Sequence, residues 1–273
     1  MTARHRPATM TPFRRADDVM MPLPLSLLYQ DDHLVAVHKP AGLLVHRSAL
    51  ARGERAFLLQ RLRDQLGRRV YPVHRLDRPT SGAVVFALDP ETAAALQSAF
   101  AARQVEKRYL AVVRGIGPGQ ERLAAALRDE EGPRPKAEMP AREALTDIRR
   151  LDSVELPVQV DRYPHSRYSL IEARPHTGRR HQIRRHLAGR GYPIIGDAKH
   201  GKGIHNRFFA EHLSCPRLLL AAVGLSFAHP VSGRRLELCC PLDACMTTLF
   251  ERFGWTRHLP APIQAPDRRS AMP

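Results

Sequence analysis

The stretch VHRLDRPTSGAVVFALDPETAAALQSAF, residues 73–100, decides how the rest of the chain is read. Gly82–Leu88 is a Val-rich apolar run behind a turn-like segment, which marks a buried strand. Asp89 stands where a helix N-cap belongs, and Pro90 fits the first helical position. Glu91 complements the helix dipole, and Leu96 and Phe100 share one face. Another Val-rich strand, Arg108–Arg114, follows. Elsewhere the strands come in runs with helices inserted singly. That pattern argues an α+β fold on a mixed, mainly antiparallel sheet rather than a βαβ repeat.

Working outward, Leu25–Tyr29 and Leu34–His38 read as short strands around the turn Gln30-Asp31-Asp32. A helix around Glu54–Leu66 places Leu58, Leu62 and Leu66 on one stripe and stops at Gly67. Downstream come strands Ala144–Leu151, Arg167–Arg174 and Leu218–Leu225. A hairpin Ser226–Ala228/Leu236–Cys239 and a last helix Asp243–Phe253 complete the series. Ile116–Met139, with its Gly, Pro and charge, reads as a loop excursion or a small insertion. Residues 1–23 and 258–273 lack periodicity and are expected to be a disordered basic extension and a disordered Pro-rich tail around one domain at 24–257. No G-x-G-x-x-G or Walker sequence follows a strand, which disfavours nucleotide-cofactor folds.

The chain has 273 residues, with 43 Lys+Arg against 27 Asp+Glu, a formal charge of +16. Such an excess favours a polyanionic partner, because each cation that neutralises a phosphate releases counterions. A hydrophobic content of 43% excludes wholesale disorder. Neither a long apolar span nor a secretory signal is found, so the expectation is a cytoplasmic protein with no membrane contact. Cys215, Cys239, Cys240 and Cys245 show no C-x-x-C spacing and read as small buried hydrophobes without a structural disulfide.

The chemistry concentrates in two segments. In His74-Arg75-Leu76-Asp77-Arg78-Pro79-Thr80-Ser81-Gly82, Asp77 is a lone carboxylate flanked by Arg75 and Arg78. Two cations so close are expected to lower its pKa from about 3.9, which suits a nucleophile or base better than an acid. A surface ion pair at a turn would give the same pattern. The second segment is Arg174-Pro175-His176-Thr177-Gly178-Arg179-Arg180-His181-Gln182-Ile183-Arg184-Arg185-His186-Leu187. It reads as a strand end, a Thr-Gly turn and a basic helix with Ile183 and Leu187 inward and Arg180 and Arg184 on one face. Its three histidines recur every five residues, not the four of helical zinc ligands, so phosphate contact by the arginines is preferred to a metal site. Tyr109, in Lys107-Arg108-Tyr109, is either a core aromatic or a platform for a nucleobase.

Together HRLDRPTSG at 74–82, KRY at 107–109 and RPHTGRRHQIRRHL at 174–187 resemble the RluA-like pseudouridine synthases, in that order and at family-like separations. Leu27–Asp31, Leu34–Gly42 and Pro193–Gly201 look like further parts of the same pattern. The resemblance implies a catalytic domain on a long mixed sheet with a central cleft; only some twenty unpatterned residues stand before the first strand, too few for the S4 domain many relatives carry. It implies Asp77 as the nucleophile that isomerises a uridine, with Arg184 as its basic partner and Tyr109 stacked on the uracil. Ile183 would cover the base's other face, and Arg75 would fill the gap left by a flipped nucleotide. His74, Arg78, Arg179, Arg180 and Arg185 are the expected RNA contacts. No metal or cofactor is implied, because leaving group and acceptor belong to one nucleotide. RPTSG at 78–82, the segment 45–48, Lys199-His200-Gly201 and Phe253-Gly254-Trp255 resemble the branch acting on tRNA at position 65. The expected partner is therefore tRNA, bound by a monomer without an obligate protein partner. Ribosomal RNA as substrate, and a non-catalytic RNA-binding module, are the alternatives.

Overall fold

The computed structural model describes residues 24–46, 56–128 and 139–260. The expected extension at 1–23, the start of the helix at 54, most of the tail and the middle of the excursion lie outside the described residues. The elements are β1 (Leu27–Gln30), β2 (Leu34–Lys39), α1 (Leu58–Leu66), β3 (Tyr71–Pro72), β4 (Ser81–Ala87), α2 (Pro90–Ala101), β5 (Glu106–Arg114) and β6 (Gln120–Ala124). After them come β7 (Leu127–Arg128), β8 (Ala141–Arg142), β9 (Leu145–Leu156), β10 (Ser166–Pro175), α3 (Gln182–Gly189), α4 (Gly203–His212), β11 (Leu220–Ala228), β12 (Arg235–Cys239) and α5 (Ala244–Phe253).

The main sheet has the order β1-β2-β4-β11-β5-β10-β9-β6, with β3 and β12 paired outside that path. Every pairing in it is antiparallel except β4 with β11. The fold is therefore α+β on a mixed, mainly antiparallel sheet. Local signals explain several elements. Asp89 accepts from Thr92 N at 2.7 Å and starts α2, Asp243 accepts from Met246 N and starts α5, and Gly67 ends α1 in the left-handed region.

Period-2 alternation sorts the strand side chains onto two faces. On one face, Val84 and Phe86 pack with α1, while Ala111, Val113, Ile171 and Leu220 pack with Ile183 and Leu187 of α3. Tyr109 touches both of these clusters. On the other face, Ala83 and Val85 meet α2, and Leu110, Val112 and Leu170 meet α4 and α5.

The sheet changes partners along one edge of β4. The other edge keeps β2 throughout, from Leu34↔Ala87 to Lys39↔Gly82. This edge pairs first with β3 at Tyr71↔Ala87 and Pro72↔Phe86, then with β11 at Ala221↔Ser81 and Ala222↔Gly82. In the seam between, the Val85 N–H finds no strand and donates to His74 Nε2 at 2.9 Å. The segment 73–80 leaves the sheet at this seam. Where β4 and β11 close up again, Gly82 has φ +126°, and a Cβ there would lie 2.2 Å from the Ala222 carbonyl oxygen.

Several expectations need correction. Of the two readings of 116–139, its described part fits a small insertion rather than a loop: β6 pairs with β9 as an added sheet strand, and β7 pairs with β8. The runs 218–225 and 226–228 are one strand, because nothing between them turns the chain. Helix α4 has neither a capping side chain at Lys202 nor a strong apolar stripe, so no sequence signal announced it. Cys215 and Cys245 form a disulfide with Cα atoms 5.6 Å apart. Their 30-residue separation hides the contact, which arises because both sit in the cluster beneath α5. Among the described residues no helix is long and apolar enough to cross a membrane.

Candidate active site

Two apolar anchors set the segment 73–80. Val73 enters the cluster with α2, and Leu76 enters the cluster with α1. Behind the segment, the buried Lys39 ammonium donates to the carbonyls of Pro40, Leu43 and Arg78 at 2.9, 2.8 and 3.1 Å. Burial, then the nearby Arg217 charge, push its pKa down to about 7, with Asp77 opposing. Arg78 returns the clamp, its Nε donating to Gly42 O and its carbonyl accepting from Gly42 N. Asp77 is left at the crest between two anchored side chains.

The other wall follows β10. Leu145 N donates to Thr177 Oγ1, which donates to Gln182 Oε1; Gln182 Nε2 donates to Leu145 O and Thr146 Oγ1. This closes the Thr177-Gly178 turn. His181 then adopts φ 53°, so α3 begins only at Gln182. Arg180 therefore precedes the helix, and the expected common helical face of Arg180 and Arg184 is not formed.

Arg184, 107 residues from Asp77, reaches it: Nη1 lies 3.1 Å from Asp77 Oδ2. Its other nitrogens are held by Asp197, Nε to Oδ2 at 2.7 Å and Nη2 to Oδ1 at 2.8 Å. Burial works against this guanidinium's charge, but the Asp197 bonds and charge, with Asp77, raise its pKa above the ordinary arginine value. Burial likewise opposes the Asp197 carboxylate, but the Arg184 bonds and charge together with the His200 and Lys199 amides lower its pKa. Asp197 is fixed in turn by the amides of Lys199 and His200.

These walls enclose a cleft of about 720 Å³. Of the expected site residues, His74, Arg75, Asp77, Tyr109, Arg179, Arg180, Ile183 and Arg184 line it. Arg103 and Lys107 add to its cations, and Asp77 is the one carboxylate among the described lining residues. Arg78 and Arg185 are placed outside the lining, Arg185 with Nη1 on Arg128 O. His74 stacks on Phe100 at 4.6 Å, and burial, then Lys107, push its pKa down to about 3, so the ring serves as a neutral acceptor. Burial, then the Asp77 charge, raise the Tyr109 pKa well above the usual phenol value, so its hydroxyl keeps its proton. Among the described residues, no group of three His, Cys, Asp or Glu side chains is arranged to hold a metal.

Lys39, Asp197 and His181 were not singled out for this site by sequence. Lys39 and Asp197 fall inside resembling segments without a role of their own, and the spacing of His181 speaks only against a metal site. Their burial and partners depend on contacts distant in sequence.

A family model described as RNA pseudouridylate synthase matches residues 33–189. The chain is 45% identical over 239 residues to tRNA pseudouridine synthase C of Vibrio cholerae, covering 86% of this chain and 98% of that protein. It is 44% identical over 244 residues to the protein of the same name from Vibrio parahaemolyticus, covering 88% and 99%. Among solved structures, it is similar to human RNA Pseudouridylate Synthase Domain Containing 4, with a TM-score of 0.65 and 25% identity over 87% of this chain and 95% of that one.

Proposed function

From a chain that belongs to the RluA-like RNA pseudouridylate synthase family, we propose the conversion of one uridine of tRNA, at position 65, to pseudouridine, with Asp77 as nucleophile on a flipped-out base. The observation that carries this reading is the 3.1 Å contact of Asp77 with Arg184 inside a cation-lined cleft. Eversion costs a few kcal/mol, which the pocket and a side chain filling the vacated stack offset. Arg75, exposed at the cleft, is the residue for that gap. The uracil lies between the Tyr109 ring and Ile183.

Attack by the Asp77 carboxylate on C6 of the base or on C1′ of the ribose leads to the same exchange. The N1–C1′ bond breaks, the uracil turns, and C5 bonds to C1′. C5 then loses its proton, and N1 ends carrying one. All atoms come from one nucleotide, so the isomerisation consumes no co-substrate. Tyr109, holding its proton, acts as a platform and hydroxyl donor rather than as a phenolate base. Arg184 directs Asp77, and Arg179 and Arg180 with Lys107 meet the RNA phosphates. The protein acts as a monomer in the cytoplasm.

Asp77→Asn is expected to abolish tritium release from C5-labelled uridine tRNA while tRNA binding persists. Unchanged release would overturn the nucleophile assignment. Pseudouridine mapping in cells lacking the protein tests the substrate: loss at tRNA position 65 supports it, and loss from ribosomal RNA alone overturns it.

A further inference from the structure

His181 and His200 form a pair at the catalytic carboxylate that the reaction as described leaves unused. His181 Nδ1 lies 3.1 Å from His200 Nε2, and the rings meet edge to face with centroids 5.3 Å apart. The opposite nitrogen, His181 Nε2, lies 3.9 Å from Asp77 Oδ2. His181 holds a left-handed backbone at φ 53°, a strained conformation for a non-glycine residue that tends to persist at functional sites.

Resting on the uridine-isomerisation reading, we propose that neutral His181, held in one tautomer by His200, donates its Nε2 hydrogen bond to the uracil as the N1–C1′ bond breaks. Two imidazole nitrogens 3.1 Å apart share a single hydrogen between them. An anion beside His181 Nε2 favours a hydrogen on that nitrogen over a lone pair. His200 is therefore the donor within the pair, and His181 presents its hydrogen beside Asp77 in the cleft.

Burial is the main reason that the His181 pKa falls, to about 4; Asp77 opposes, and Arg184, Arg180 and His200 add to the fall. These groups come from the carboxylate segment, from α3, from the turn before it and from the turn after Asp197. The ring is thus neutral at pH 7 and donates without surrendering its proton, as a neutral electrophilic imidazole does. The electron balance is simple. The N1–C1′ pair stays on the uracil, spread over N1 and its carbonyl oxygens, until C5 bonds to C1′. No proton moves in this step. Attack at C6 also puts negative charge on the ring, so the donor serves both routes.

The test uses the full chain, C5-tritiated tRNA and single-turnover conditions. Loss of one such donor lowers a rate by about 10²–10³. His181→Leu is expected to fall in that range with its tRNA Kd within about threefold of wild type, and His181→Gln to regain at least about tenfold through its amide N–H. His200→Leu, which releases the tautomer, is expected to slow turnover about tenfold at unchanged Kd. A His181→Leu rate within about threefold of wild type overturns the proposal, as do equally slow Leu and Gln variants or a Kd that weakens as much as the rate. If the leucine variant does not fold, an unchanged His200→Leu rate overturns it. Wild-type protein that releases no tritium from any RNA overturns the isomerisation reading instead.

Discussion

Asp197 grips Arg184 through two nitrogens, at 2.7 and 2.8 Å, and leaves the third to face Asp77 at 3.1 Å. The guanidinium has no freedom to choose another direction. Asp197 is thus a positioning residue that acts on the carboxylate through Arg184. Asp197→Asn keeps an acceptor but removes the charge; turnover is expected to drop about tenfold or more with tRNA affinity unchanged. Asp197→Ala leaves a buried guanidinium without its main partner and is expected to cost about 3–5 kcal/mol in denaturant unfolding.

Lys39→Met removes the donor shared by three carbonyls and is expected to destabilise by about 1–3 kcal/mol, measured by urea unfolding. The pH dependence gives a second readout. The folded pKa, about 7, lies below the ordinary 10.5, so above pH 7 the unfolded chain binds more protons at this site. Wild-type stability should therefore gain, between pH 7 and 9, up to about 1.4 kcal/mol per pH unit relative to the variant. Parallel curves for the two proteins would contradict this account.

Of the described histidines whose pKa burial lowers, three shift the most. His74, His181 and His205 have folded pKa values of about 3, 4 and 4, all below the ordinary 6.5, with burial the first cause in each. As pH falls below 6.5 the unfolded chain takes up protons that the native chain refuses. Stability is expected to decline from pH 6.5 towards 4 by up to about 1.4 kcal/mol per pH unit for each ring. Urea midpoints across this range check it, and His205→Gln should flatten the curve by one ring's share.

Gly82→Ala puts a methyl group 2.2 Å from the Ala222 carbonyl oxygen at φ +126°. The expected result is a loss of about 3 kcal/mol or more, read as a lowered unfolding midpoint, because neither backbone can retreat without breaking the β4–β11 pairing. Wild-type stability in this variant would show that the two strands separate readily.

Strand and helix identity was legible wherever a local cause was sufficient. GAVVFAL at 82–88 is a strand buried on both faces, and Asp89-Pro90 fixes the start of α2 within one residue. Asp77, Tyr109, Ile183 and Arg184 were legible as candidates because their segments carry a motif, and the fold brings all four to one cleft. Charge spacing alone offers Arg75 and Arg78 as the cations at Asp77, whereas the 3.1 Å contact comes from Arg184 of α3, the partner that the family resemblance implies. Asp197, Lys39 and the Cys215–Cys245 bond depend on chain crossings with no local signature. Helix α3 starts later than periodicity implied because His181 turns left-handed, a tertiary demand that propensity does not carry.

Val73 and Leu76, both just ahead of Asp77 in the chain, are buried in separate apolar clusters, and the Val85 amide is tied to His74 between them. The segment that carries Asp77 is thus pinned at two buried points, and releasing it is expected to disturb both clusters rather than one loop. On the proposed reading, an arriving nucleotide meets a carboxylate anchored before it binds, and the larger rearrangement is expected of the RNA.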